Sequence, residues 1–153
     1  MRGYRPTLKN YMDINIFRIL VHSLLPTAMG KDRDKLMRDE GKTLGASLYM
    51  SHAPASVDEA AKELTDYFRK MGLCIITKVE KLSGRRNDVL EIVLTESLTS
   101  SGLPPTGRAM CHLEGGVVEE YFSRFYGKGV VVSEPMCVSK GDPYCKIVVT
   151  LYG

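Results

Sequence analysis

The chain has 153 residues, 44% apolar and 25% charged, with 21 basic against 18 acidic side chains and a net charge of +3. That is enough chain for one globular domain with its own core, and the charge is too evenly balanced for a nucleic-acid surface, with no basic stripe and no DNA-binding motif. No apolar run approaches the ~20 residues of a membrane span, and residues 1–10 are basic and polar, with no apolar stretch of an export signal, so a reducing cytoplasm is expected.

Residues 1–13 are polar and read as an arm, leaving 14–153 as the domain. Asp13 can N-cap a first helix, in which Ile14, Phe17, Leu20, Val21, Leu24 and Leu25 fall at helical spacing; Pro26 and Gly30 mark its end. This helix is apolar around much of its girth. A helix apolar on two sides needs two partners, and a second copy of the chain is one of them, so a homodimer is expected. A second helix is predicted from about 32 to 49, with Leu36, Leu44 and Leu48 on one side beside Gly41 and Gly45. Each glycine costs about 1 kcal/mol of helix propensity, so close packing or a ligand uses the flat strip they leave. Ser56 opens a third helix with a capping box to Glu59. Ala60, Leu64, Tyr67, Phe68 and Met71 run along its stripe, and Gly72 ends it.

After Gly72 the apolar period changes. Residues 73–82 and 89–95 read as a hairpin with Leu90, Ile92 and Leu94 toward the core. Residues 96–109, rich in Ser, Thr, Gly and Pro, form a loop long enough to be functional. A fourth helix is predicted over 115–126, then a closing hairpin over 130–138 and 144–152. Pro135 cannot donate to a ladder and marks an edge or bulge. The order α-α-α-β-β-α-β-β predicts an α+β domain, an antiparallel sheet packed against helices.

Cys111, Glu134, Cys137 and Cys145 stand in the order C-(22)-E-P-M-C-(7)-C, which uses three of the four cysteines. Cys137 and Cys145 flank the closing turn, and a bulge at Pro135 would let Glu134 converge on them. Three sulfurs and an oxygen can make a tetrahedral zinc shell, and His112, adjacent to Cys111, is an alternative to Glu134 as the fourth ligand. The spacing leaves open two other readings: buried thiols packed as small hydrophobes, and a disulfide from Cys137 to Cys145, which a reducing compartment disfavours.

The segments C-H-L-E-G-G at 111–116, V-V-V-S-E-P-M-C at 130–137 and G-D-P-Y-C-K-I-V-V at 141–149 resemble the 4-vinyl reductase domain family. The resemblance is specific over 105–152 and one of pattern over 14–95. It implies a small-molecule-binding module with a structural zinc, similar in fold to the TRAPP vesicle-tethering subunits, which dimerise and hold acyl chains. Carried over residue by residue, the zinc ligands become Cys111, Glu134, Cys137 and Cys145. The family's aromatic sensors present a histidine and a tryptophan to a phenol hydroxyl. This chain has no tryptophan, and His22, His52 and His112 do not match that histidine.

The expected function is binding or sensing of a small hydrophobic or aromatic molecule, without catalysis. A pocket between helices and sheet would be walled by Tyr49, Leu64, Tyr67, Phe68, Leu90 and Ile92, with Tyr49 or Tyr67 supplying a hydroxyl. The same residues would serve as an ordinary core. Two other functions are a reductase acting on a vinyl group and a dimeric scaffold like TRAPP. The first needs a hydride or electron source, and the sequence carries no G-x-G-x-x-G after a strand, no P-loop and no iron–sulfur cysteine run.

Overall fold

The computed structural model describes residues 13–51, 53–83 and 87–152, so the expected arm lies outside the described residues apart from Asp13. The chain divides into two compact units, residues 1–33 and 34–153.

The first unit holds helix α1, built in three parts: α-helical Ile14–Ile19, π-helical Leu20–Leu24 and α-helical Leu25–Met29. Asp13 caps it, its Oδ1 accepting the Asn15 N–H at 2.8 Å. The helix does not stop at Pro26. In the widened turn the Leu25 N–H reaches the Leu20 carbonyl, five residues back. Pro26 then falls in the opening turn of the next α-helical part, where a missing N–H is tolerated. Gly30, at φ +58°, ends the helix.

The second unit contains nearly all of α2 (Arg33–Ser51), then α3 (Val57–Met71), β1 (Ile75–Ser83), β2 (Asn87–Thr95), α4 (His112–Tyr126), β3 (Val131–Met136) and β4 (Cys145–Tyr152). With α1, this is the α-α-α-β-β-α-β-β order of an α+β fold. The four strands form one antiparallel sheet in the order β1-β2-β4-β3. The last strand therefore inserts beside β2, pairing Leu90 with Val149, Ile92 with Ile147 and Leu94 with Cys145. All six side chains face the core and are buried. Helix α3 packs on β1, and α4 packs on β3 and β4.

Two sequence features set the helix positions. Ser56 Oγ accepts the Glu59 N–H at 3.2 Å, while the Glu59 carboxylate takes the N–H of Ala55 at 2.8 Å, one residue before the usual capping-box partner. At the other end Gly72 is left-handed, and the Leu73 N–H closes on the Phe68 carbonyl at 2.9 Å.

Gly41 and Gly45 are used for packing, and the helix they meet is α4. A Cβ on Gly41 would overlap the Leu113 carbonyl and lie 3.0 Å from the Gly116 Cα; one on Gly116 would overlap the Arg38 carbonyl. This crossing also explains why α4 begins at His112, not at Gly115 as predicted. The glycine pair reads as the start of the helix, but here it lies inside it, where α2 packs against it.

Candidate metal centre

The four expected ligands converge. Cys111 is the residue immediately before α4. The pairing of β3 with β4 slips between Ser133 and Met136, and the bulge holds Glu134 beside Pro135. Cys137 follows in extended conformation, then a single 3₁₀ turn (Val138–Lys140) and Gly141 at φ +98° return the chain toward Cys145, the first residue of β4. Asp142 ties the turn, its Oδ2 accepting the Cys137 N–H at 2.8 Å, while the Cys137 carbonyl accepts the Lys140 N–H at 2.8 Å.

One donor atom from each of Cys111, Glu134, Cys137 and Cys145 lies within 4.8 Å of all the others. The Cys111 and Cys145 sulfurs are 3.4 Å apart, and those of Cys145 and Cys137 are 3.7 Å apart. Four ligands on a tetrahedral zinc with Zn–S near 2.3 Å have their sulfurs about 3.8 Å apart, so the observed spacing fits. The cysteines are free thiols, which rules out the disulfide reading for this structure. All three are at most 1% exposed, and Glu134 is partly buried. The Glu134 carboxylate also accepts the Cys111 N–H at 3.1 Å, which orients it toward the sulfurs.

The electrostatics are those of acidic groups crowded out of water. The Cys111 thiol is held far above its ordinary value by its hydrogen bonds to the Cys137 and Cys145 sulfurs and by burial. Cys137 moves the other way, its thiolate stabilised by hydrogen bonds from Cys111 and Cys145. Burial pushes the Glu134 carboxyl up to about 8. A divalent metal would favour the deprotonated form of all four groups.

A second set of residues surrounds these ligands, and the sequence reading did not identify it. Glu114, in the first turn of α4, is fully buried and accepts from Ser97 Oγ at 2.8 Å and from Thr99 Oγ1 at 2.9 Å. Ser97 Oγ is 3.3 Å from the Cys111 sulfur, and Ser100 Oγ is 3.4 Å from the sulfurs of both Cys111 and Cys145. The available signals were a glutamate three residues after a cysteine and the S-L-T-S start of the long loop. His112, beside Cys111 in sequence, lies outside the ligand cluster; its Nε2 is 3.4 Å from Asp34 Oδ2. Cys74 is a buried core residue whose thiol is pushed well up by burial.

The residues expected to wall a pocket lie in two kinds of surroundings. Leu64, Phe68, Leu90 and Ile92 are wholly buried core side chains. Tyr49 packs edge-on against Tyr121, ring centres 5.9 Å apart. Tyr67 lines a cavity of about 220 Å³ between α2 and α3, together with Leu48, Glu63, Asp66 and Lys70. Tyr121 donates its hydroxyl to Glu63 at 2.8 Å, so one wall of the cavity is tied to α4.

Residues 90–151 match the domain of the 4-vinyl reductase family. An uncharacterized protein of Methanocaldococcus jannaschii is 28% identical over 140 residues, 92% of this chain and 78% of that protein. Among solved structures, the phenol-responsive sensory domain of the transcription activator PoxR, determined with phenol, superposes with a TM-score of 0.68 at 18% identity, covering 91% of this chain and 74% of the other. A trafficking protein particle complex subunit 3 from Naegleria fowleri, covalently bound to palmitic acid, superposes at 0.66 and 18% identity, covering 92% and 95%. At these identities the likeness is one of fold. No helix among the described residues is long and apolar enough to cross a membrane.

Proposed function

With residues 90–151 matching the 4-vinyl reductase domain, we propose that this protein is a zinc-stabilised module that binds a small hydrophobic or aromatic molecule and signals its presence without transforming it. The observation that carries the reading is the convergence of Cys111, Glu134, Cys137 and Cys145 on one point. Four protein ligands complete a tetrahedral zinc shell and leave no position for substrate or water, which is the structural arrangement. The metal would supply charge compensation and would tie the bulge of β3, the start of β4 and the start of α4 to one another. Thiolate ligands of this kind need a reducing compartment, in keeping with a cytoplasmic protein.

The ligand reading rests on the α2–α3 cavity. In this open hollow Leu48 and Tyr67 offer apolar surface and a hydroxyl, and Glu63, Asp66 and Lys70 surround them with charge. The fold likeness to a phenol-bound sensory domain supports an aromatic ligand. Exposed Ile14, Ile16, Ile19, Leu20 and Leu24 on α1 support association as a homodimer. Native mass spectrometry of the purified protein tests these statements together. One zinc per chain, an even number of chains and a co-purifying or titratable small aromatic are expected. A metal-free chain would overturn the metal reading, a monomer the dimer, and NADPH-dependent reduction of a vinyl substrate the non-catalytic assignment.

A further inference from the structure

We propose that Glu114 is a positioning residue for the metal centre: its carboxyl takes the hydroxyl protons of Ser97 and Thr99 and so fastens the turn at residues 97–100, which sets the Ser100 hydroxyl against the sulfurs of Cys111 and Cys145. The proposal rests on the metal reading above.

Glu114 is 0% exposed in the middle of the core, where an apolar side chain would fill the space without desolvating a carboxyl. What it holds is therefore informative. Its oxygens accept from Ser97 Oγ at 2.8 Å, from Thr99 Oγ1 at 3.1 and 2.9 Å, and from the backbone of Thr99. These donors belong to one short turn, and the carboxyl also accepts Glu114's own backbone N–H. That turn follows Glu96, which takes a left-handed backbone at φ +55°, a conformation uncommon for a non-glycine residue. It is also fastened by the Leu98 N–H, which donates to the Leu73 carbonyl at 2.7 Å, and by the Ser101 N–H, which donates to the Ser97 carbonyl at 3.0 Å.

The donors to the three sulfurs are not alike. Cys137 receives a backbone N–H from Ser139, and Cys145 receives one from Val138 at 3.5 Å. These come with the hairpin turn itself. The contacts of Cys111 on this side are two side-chain hydroxyls: Ser97, 3.3 Å away, whose proton goes to Glu114, and Ser100, 3.4 Å away, which is the one placed to donate to a sulfur. Metal-bound thiolates are hydrogen-bond acceptors, and groups that orient and polarise ligands in this way are part of a site's affinity. Glu114 lies one turn along α4 from Cys111, so a ligand and the clamp for the turn that carries its hydroxyl donor, Ser100, stand at one helix end.

The test uses the full chain loaded with cobalt(II), whose thiolate charge-transfer band reports electron density on the sulfurs, and zinc affinity from chelator competition. Ser100→Ala, which removes a donor to the sulfurs, should shift the band to lower energy, and Ser97→Ala, which removes a donor to Glu114 and loosens the turn, should shift it the same way. Glu114→Gln should shift it the same way and weaken zinc binding about 10–100-fold. Placed on the Ser97→Ala/Ser100→Ala background, Glu114→Gln should change the affinity by no more than about twofold. Thr99→Val removes a donor to Glu114 without touching a sulfur. It should also shift the band and weaken zinc binding, and it serves as the test if Glu114→Gln does not fold. An unchanged band and affinity in Thr99→Val and Glu114→Gln would overturn the proposal alone, as would full additivity with the serine variants. A wild-type chain that takes up neither cobalt nor zinc would overturn the metal reading, and this proposal with it.

Discussion

Replacing Cys137 and Cys74 by serine separates a metal centre from buried thiols that merely pack. The two cysteines are equivalent by burial, at 0% and 3% exposure. If both are packing residues, each substitution puts a poorly satisfied hydroxyl where a thiol was, at about 1–3 kcal/mol. Cys137, however, has the Cys145 sulfur 3.7 Å away and shares a cluster with ligands from β3, β4 and the start of α4. A structural zinc contributes on the order of 10 kcal/mol of apparent binding energy, against a typical domain stability of about 5–15 kcal/mol. With free zinc a thousandfold above its dissociation constant, the metal adds about 4 kcal/mol to stability. In a chain of this length about 1 kcal/mol moves the Tm by about 2–4 °C. Cys137→Ser should therefore melt about 8–16 °C below Cys74→Ser in the presence of zinc. The assay is thermal unfolding followed by circular dichroism, with and without a chelator. Chelation should bring the wild type down toward Cys137→Ser, lower Cys74→Ser by a similar amount, and leave Cys137→Ser unmoved. Equal losses in the two variants, with no response to the chelator, would refute the reasoning.

Gly116→Ala should destabilise by about 1–3 kcal/mol in urea unfolding, because the new methyl overlaps the Arg38 carbonyl and the overlap outweighs the helix propensity gained; an unchanged midpoint would sink the close-packing account. Ser56→Ala should cost about 1 kcal/mol and speed amide exchange at Glu59, whose N–H it leaves without its cap. The Tyr121 phenol is held up by burial first and then by Glu63, so the fold favours its neutral form, and stability should fall as pH rises past the ordinary value near 10. Tyr121→Phe should lose that part of the alkaline decline; an identical decline in the variant would contradict the assignment.

Much of the fold was legible because it is written in local physics. The alternation of Leu90, Ile92 and Leu94 names one face of a strand, and these side chains are wholly buried. Ser56 and Gly72 carry the chemistry of helix ends, and the structure uses both as such. Gly41 and Gly45 announced a close approach, although only the fold names α4 as what approaches. Local signals failed where a neighbour overrode them. Pro26 should stop a helix, but a π-helical turn moves it to a position that needs no N–H. Gly115 and Gly116 should open one, but contact with α2 absorbs them into α4.

The candidate centre divides along the same line. Its ligand types and order are a sequence property, since three thiols and a carboxylate can be counted along the chain. Their convergence is tertiary: Cys111 and Glu134 are 23 residues apart, and the bulge of β3 and the insertion of β4 beside β2 bring them together. The Ser97, Thr99 and Glu114 cluster left only a faint trace, the S-L-T-S run and a glutamate three residues after Cys111, because hydroxyls and a carboxyl at loop and helix positions look like surface until burial is known. The cavity was not legible in the sequence for the complementary reason. Apolar residues at the right period reach the core whether the core is filled or hollow, and only packing decides that Leu64, Phe68, Leu90 and Ile92 fill it while Tyr67 borders open space.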